Sequence, residues 1–281
     1  PTPPNTLRPL PPEPLRKPKS PETLQRTLLV VYFVDCTGLV QREVCTMPLF
    51  LGYYNLLYFI FGLPALLLAL YAQYKVHSSY NKYSRIPNSR RITGYDAARY
   101  LLAAGGLAGV GIEGTPGVLT DHYDPRSKIL RLSAGVANSG SIAALGIVAH
   151  EVGHAAQDAT DYVGLRLRAG LVPVLTFGSW LGPILFFVGY LLNQFDLALV
   201  GVGFFALAAV FAIVTLPVEL NASRRALETL RSTGLVASAA EEQGVRSVLS
   251  AAALTYVAAV AQAVMSLLYY VFLLSGMRRR D

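Results

Sequence analysis

Charged residues are scarce in this chain of 281 residues. They make up 15% of it and the mean hydropathy is +0.43, whereas an average soluble domain carries roughly 25% charged residues. Cysteine is nearly absent as well, because Cys36 and Cys45 are the only two and both precede the first long apolar run. The rest of the chain therefore cannot build a disulfide framework or a cysteine metal site.

The basic residues form no stripe with interleaved aromatic residues, so the net charge of +7 does not indicate nucleic-acid binding. They lie mainly in the connections between apolar runs, which is typical of a membrane protein. The glycines at 105, 106, 109 and 111 are followed by no Lys-Ser/Thr pair. A flexible connection is predicted there instead of a phosphate-binding loop. The expected partners include a lipid bilayer and no nucleic acid.

The first 46 residues differ from everything that follows them. Residues 1–21 contain nine of the 17 prolines and no hydrophobic period, so they are predicted to be disordered. The first methionine is Met47, which directly precedes a long apolar run. We therefore interpret residues 1–46 as an upstream extension that contributes nothing to function.

Four stretches are long and apolar enough to cross a bilayer, which requires about 20 residues each. They comprise residues 47–74, 169–192, 195–216 and 248–275. Only Asn193 and Gln194 separate the second stretch from the third, so residues 169–216 are predicted to form a tight transmembrane hairpin.

The distribution of Lys and Arg orients these spans. Residues 75–168 hold 11 of them and residues 217–247 hold four, while the hairpin turn holds none. Both basic stretches are therefore expected to face the cytoplasm. The basic tail over residues 276–281 opposes this orientation, but the larger count outweighs it.

Between the first two spans lies the only sizeable polar element. Residues 95–104 are predicted to form a helix that ends at Gly105, and residues 118–133 two short strands around a turn at Asp124. A further helix is predicted over residues 141–157, with Ser139 or Ser141 as its N-cap.

That helix contains the sequence His150-Glu151-Val152-Gly153-His154. Residues four apart share one helix face, so both imidazoles can meet one metal ion while Glu151 deprotonates the attacking water. This is the H-E-x-x-H arrangement of zinc peptidases. The alternative interpretation is that these polar residues have no catalytic role and are hydrogen-bonded to neighbours inside a buried helix. Ionisable residues near apolar helices are, however, costly unless they have a function.

Catalytic zinc requires a third protein ligand besides water. No third histidine follows at the metzincin spacing, and the best candidate is Glu219, near the expected end of the third span. The hairpin returns the chain to the side of the membrane that carries the histidines, so the topology permits the contact. The alternative is a solvated residue at a helix end.

Four stretches resemble the YugP-like neutral zinc metallopeptidases of bacterial membranes, a family similar in layout to the HtpX-like proteases. They are LTDHYDP (119–125), LRLS (130–133), HEVGHAAQ (150–157) and PVELNASRRA (217–226). The resemblance covers about residues 47–277. It implies one zinc ion per chain with His150, His154 and Glu219 as ligands, Glu151 as general base, and a bacterial inner membrane as the location.

Many related peptidases place an Asp four residues beyond the glutamate ligand, where it supports a ligand histidine. This chain has Ser223 at that position, so the supporting residue stays open among Ser223, Asp158 and Asn221. His122 is a candidate donor to the oxyanion of the reaction, with Tyr123 beside it. A lone histidine in a turn is equally often only a surface donor. Residues 129–133 could offer a free strand edge to an extended peptide substrate.

These features predict a mainly α membrane protein with four transmembrane helices and an inserted small α+β peptidase element of the zincin type. The predicted activity is that of a zinc metalloendopeptidase, gluzincin-like in its ligands, which cleaves peptides or membrane proteins at the cytoplasmic membrane surface. One alternative is an intramembrane protease of the site-two type. The other is a zinc-binding membrane scaffold without enzymatic activity.

Overall fold

The structure, a computed structural model, describes residues 56–277. The predictions for residues 1–46, for the start of the first span and for residues 278–281 lie outside them. Within the described residues the chain is mostly helical, and its elements are α1 (Leu56–Tyr83), α2 (Gly94–Ala104), β1 (Gly111–Thr115), β2 (His122–Asp124), β3 (Ile129–Ser133), α3 (Ala134–Ala137), α4 (Ile142–Ala159), α5 (Val163–Leu191), α6 (Phe195–Ser232) and α7 (Ala239–Met277).

Four of these helices, α1, α5, α6 and α7, are long and apolar enough to cross a membrane. This is the number that the hydropathy of the sequence predicted. Large apolar side chains such as Leu67, Phe177 and Ile213 are exposed on them. A soluble monomer rarely leaves so much apolar surface in water, whereas lipid tails cover it at no cost. The chain is therefore a membrane protein.

Helices α5 and α6 form the predicted tight hairpin, and the connection over residues 192–194 includes Asn193, which adopts a positive φ of 53°. Glycines allow their backbones to approach closely. A Cβ atom on Gly189 would lie 2.4 Å from the Ala198 amide nitrogen, and one on Gly201 would lie 2.5 Å from the Phe186 amide nitrogen. Any larger residue at these positions would push the two helices apart.

Helix α6 continues well past the predicted end of its span at residue 216 and runs through Pro217 to Ser232. Hydropathy marks only the apolar part of a helix, and the turns beyond that part still bury one face. Val218, Ala222, Ala226 and Leu230 are spaced four apart and are fully buried, which is the stripe of a helix packed against a core. Most of the predicted polar connection over residues 217–247 is therefore helical.

The small sheet has the strand order β1-β3-β2, with β1 parallel to β3 and β2 antiparallel to it. Strand β1 lies where the sequence predicts a flexible connection, because its two glycines, Gly111 and Gly114, are unfavourable inside a strand. Its pairing runs from Gly111 opposite Ile129 to Thr115 opposite Ser133. Since β3 is the central strand, the predicted free edge over residues 129–133 is wrong.

Helix α4 lies at the centre of the main core. Ser141 is its N-cap and accepts a hydrogen bond from the Ala144 amide at 3.2 Å. The helix packs against the sheet, α2, α6 and α7, so it has buried side chains on several of its faces. The residues of the H-E-x-x-H sequence are thus held on a rigid element rather than on a loop.

Candidate metal centre

Helix α4 approaches α6 very closely at Gly153. A Cβ atom on this glycine would lie 2.6 Å from the Ala222 carbonyl oxygen, which is closer than any side chain tolerates. The close approach brings His150 and His154 on α4 next to Glu219 on α6. The glycine inside the H-E-x-x-H sequence therefore sets the distance between the two helices that carry these side chains.

Three metal-binding side chains meet across this contact. Glu219 Oε2 lies 3.2 Å from His150 Nε2 and 3.4 Å from His154 Nε2, and one ligand atom from each residue lies within 4.8 Å of the others. Glu219 is only 2% exposed and lies inside α6, so it is not a solvated residue at a helix end. The structure brings together the three residues that the sequence selected as ligands.

The orientation of His154 follows from its contact with Gln157. The Gln157 side-chain nitrogen donates to the Val218 carbonyl oxygen at 2.8 Å and to Asn221 Oδ1 at 3.0 Å. The amide oxygen of Gln157 therefore faces His154 Nδ1, at 3.0 Å. Because this oxygen can only accept, Nδ1 carries the hydrogen, and Nε2 is the ring nitrogen that could bind a metal ion.

His150 is held in a similar way by Ser223, whose Oγ lies 3.1 Å from His150 Nδ1. Of the three supporting residues considered from the sequence, Ser223 alone contacts a ligand histidine. Asn221 contacts His154 only indirectly, because it accepts a hydrogen bond from Gln157, which in turn contacts His154. The structure does not place Asp158 beside a histidine, because its carboxylate contacts Tyr123 and Lys128 instead.

Arg168 is a member of the site that the sequence analysis did not identify. Its guanidinium donates to Glu219 Oε1 at 2.6 Å, so the two Glu219 oxygens have different partners. Arg168 is 9% exposed, and a buried arginine beside a buried carboxylate is a strong charge-assisted pair. An arginine at the start of an apolar run is itself a signal, since such a charge is costly without a partner.

Glu151 directly follows His150 in α4 and is buried, and strand β2 holds its side chain in place. Its Oε2 accepts a hydrogen bond from the Tyr123 backbone amide at 3.0 Å. The segment before β2 is anchored in turn by Asp121, which accepts from the Ser133 amide at 2.7 Å. A main-chain donor cannot rotate away as a side chain can, so this hydrogen bond restrains the carboxylate of Glu151.

The Tyr123 side chain ties β2 to the far end of α4. Its hydroxyl donates to Asp158 Oδ2 at 2.7 Å, and Lys128 pairs with the same oxygen. Burial, followed by the hydrogen bond to Asp158, raises the pKa of the Tyr123 phenol above its ordinary value. The phenol therefore stays neutral and donates its hydrogen to Asp158.

His122 is the remaining residue predicted for the site. Its Nδ1 lies 2.8 Å from the Thr120 carbonyl oxygen. A carbonyl only accepts, so Nδ1 carries the hydrogen and Nε2 of the neutral ring is an acceptor. His122 can therefore donate to an oxyanion only when its ring is protonated, and no described contact joins it to the ligand residues.

The donor set fits a catalytic zinc ion. Such sites use three protein ligands drawn from imidazole nitrogen and carboxylate oxygen, and they leave a fourth position open. His150, His154 and Glu219 supply this combination. The contacts of Ser223 and Gln157 with the outer nitrogens of the two rings are those that orient metal-bound histidines.

Comparisons with known proteins agree with this site. A sequence model of the family described as "Putative neutral zinc metallopeptidase" matches residues 58–275, which include every residue of the metal centre. The chain is 43% identical over 218 residues to "Putative membrane protease YugP" of Bacillus subtilis (strain 168), and the alignment covers 78% of this chain and 96% of the relative. No solved structure matches. The family predicted from the sequence is confirmed, and the chain belongs to the neutral zinc metallopeptidases.

Proposed function

We propose that this protein is a zinc-dependent membrane endopeptidase, gluzincin-like in its ligands, in which His150, His154 and Glu219 hold one zinc ion. The observation that carries the proposal is the convergence of these three ligand atoms, with the buried Glu151 next to His150 in the chain. Zinc, when bound, polarises a scissile carbonyl and makes a water molecule more acidic. Membership of a zinc peptidase family supports the same chemistry.

Glu151 is the general base in this proposal. It takes a proton from the attacking water and passes it to the leaving amine. The Tyr123 amide fixes its carboxylate by the hydrogen bond at 3.0 Å, so the base is preorganised before a substrate arrives. Arg168 holds Glu219 Oε1, which keeps Oε2 directed at the two histidine rings.

The proposed location of the site is the cytoplasmic surface of a bacterial inner membrane, where peptides or membrane proteins would be its substrates. The Lys and Arg excess over residues 75–168 and 217–247 supports this orientation. The packing of α4 against a small sheet supports a peptidase element of the zincin type.

One observation favours the intramembrane alternative, since Glu219 is buried in α6, the helix of a candidate membrane span, just beyond its apolar part. A nitroxide spin label at the exposed Ala159, the last residue of α4, distinguishes a site at the membrane surface from a site inside the bilayer. For a surface site, a water-soluble relaxation agent should reach this label more readily than oxygen does. Preferential access by oxygen would place the end of α4 in the bilayer.

Removal of the metal tests the proposed function. Dialysis of detergent-purified protein against 1,10-phenanthroline should abolish casein cleavage, and addition of one equivalent of zinc should restore it, because the three ligands supply a single site. Casein fragments on a gel and zinc content by atomic absorption are the two readouts. Cleavage that survives complete zinc removal would contradict the proposal. Zinc retention without cleavage of casein or of membrane proteins would favour the scaffold.

Replacing Gln157 with Leu should weaken zinc binding by roughly 10–100-fold, the usual effect of losing a residue that orients a metal-bound histidine. Leucine fits the space but cannot accept from His154 Nδ1. Competition with a chromogenic zinc chelator measures the affinity. The control is Gln243→Leu, which makes the same change at an exposed position of α7. An affinity equal in both variants would show that Gln157 does not orient His154.

A further inference from the structure

A cavity of about 310 Å³ opens between the first and the last described helices, at a place that shares no lining residue with the metal centre. Helix α1 contributes one wall and α7 the other. The lining residues are Lys75, Ser78, Ser79, Lys82, Tyr83, Ser247, Ser250, Ala251 and Leu254. Two lysines and four serines make this wall polar, although both helices are candidate membrane spans.

The cavity carries positive charge that no acidic residue of its lining balances. Among the described residues, neither Lys75 nor Lys82 forms an ion pair, and both are exposed. Lys82 Nζ lies 5.1 Å from the centre of the Tyr83 ring, a cation–π contact that keeps its ammonium group near the cavity. The positive charge of this lining therefore favours the binding of an anion.

Hydroxyl donors are also available in the cavity. Ser247 and Ser250 donate to carbonyl oxygens of their own helix. The hydroxyls of Ser78 and Ser79, in contrast, hydrogen-bond no protein atom within residues 56–277. The Ser78 and Ser79 hydroxyls and the ammonium groups of Lys75 and Lys82 can therefore all donate to one ligand with several acceptor oxygens, such as a phosphate group.

The cavity lies where both helices change from apolar to polar sequence. The apolar part of α1 ends immediately before Lys75, and that of α7 begins immediately after Ser247. The two helices run in opposite directions, so their polar ends meet at one level. Ala251 and Leu254 continue the lining along the apolar part of α7. A ligand with a charged end and an apolar end would match both parts of this wall.

We propose that this cavity binds the phosphate group of an anionic phospholipid headgroup. Lys75 and Lys82 pair with the phosphate charge, the hydroxyls of Ser78 and Ser79 donate to its oxygens, and Leu254 lies beside the apolar part of the lipid. Free phosphate shares the headgroup chemistry but makes no use of the apolar wall. The experiment must therefore distinguish these two sources.

Native mass spectrometry of the full chain, released from micelles that contain equal amounts of phosphatidylglycerol and phosphatidylcholine, measures the preference for the anionic lipid. The wild type should retain phosphatidylglycerol, and Lys75→Gln/Lys82→Gln should lose this preference by roughly ten-fold or more. The charge-matched control is Arg99→Gln/Arg126→Gln, at two exposed positions outside the cavity. Ser79→Leu fills the cavity without changing the charge, and it should also lose the preference.

Titration of the lipid-free proteins with inorganic phosphate forms the second arm. Loss of the lipid preference in both cavity variants but not in the control supports a headgroup site. An unchanged lipid preference, with phosphate binding that only the cavity variants lose, would replace the lipid by free phosphate. Equal behaviour of all four proteins in both arms would overturn the proposal. Thermal melting of each variant checks that it is folded.

Discussion

Replacing Glu151 with Gln is expected to reduce peptide cleavage by roughly 10²–10⁴-fold, the usual contribution of a general base, and to leave zinc binding unchanged. Glutamine has the same shape as glutamate. Its amide oxygen can accept the hydrogen bond that the Tyr123 backbone amide donates to Glu151 Oε2 in the wild type, at 3.0 Å. It cannot take a proton from water. The turnover rate on a fluorogenic peptide and the zinc content of the same sample measure the two effects separately.

The matched control for this substitution is Glu113→Gln. Glu113 is exposed on β1, and its carboxylate forms an ion pair with Arg131 Nε at 3.4 Å. Its replacement should change the rate by less than about two-fold, since an exposed ion pair contributes little. If Glu151→Gln cleaves at the wild-type rate, Glu151 is not the base. If it loses zinc together with activity, Glu151 helps to hold the metal.

The sequence predicted the grouping of His150, His154 and Glu219 because each step depended on local geometry or on a chemical requirement. Helix periodicity alone places residues four apart on one face. The need of catalytic zinc for a third ligand, together with the return of the chain through the hairpin, selected Glu219. Their convergence in the structure agrees with that reasoning, while the catalytic roles of these residues stay predictions.

The residues that support the ligands could not be assigned in the same way. Asp158 and Gln157 follow His154 by four and three residues, and either spacing allows a contact along a helix. Tyr123 and Lys128 engage Asp158, and the Val218 carbonyl fixes the amide of Gln157. These partners come from distant parts of the chain, so the choice depends on tertiary packing that no local pattern contains.

Two features of the fold could not be predicted from the sequence, for different physical reasons. Strand β1 contains Gly111 and Gly114, and glycine favours loops unless a neighbouring strand pairs with it, as β3 does here. The extension of α6 beyond residue 216 was hidden because hydropathy records contact with lipid and not helix length. The small residues Ala222 and Ala226 give a weak hydrophobic signal, although both are fully buried.

Replacing Gly153 with Ala should disrupt the metal centre without touching any ligand. The new Cβ would lie 2.6 Å from the Ala222 carbonyl oxygen and 3.3 Å from the Ala222 Cα. Both are backbone atoms that cannot rotate away, so α4 and α6 must separate by roughly an ångström, at a cost of about 1–3 kcal/mol in the free energy of unfolding. This movement carries Glu219 away from the two histidine rings. Zinc affinity and peptide cleavage should therefore both fall at least about ten-fold, since orientation errors of this size are costly in metal sites.

Gly170→Ala is the matched control, because Gly170 also lies inside a helix and a Cβ atom there meets nothing within 4 Å. Both substitutions gain the same helix propensity, about 1 kcal/mol, so the difference between the two variants isolates the contact with α6. Zinc affinity by chelator competition and the melting temperature of each variant are the measurements. A Gly153→Ala protein that binds zinc and cleaves peptides as well as Gly170→Ala does would show that the close approach of α4 to α6 is not what assembles the ligands. Loss of zinc affinity in Gly153→Ala alone would establish that the spacing of these two helices controls the site.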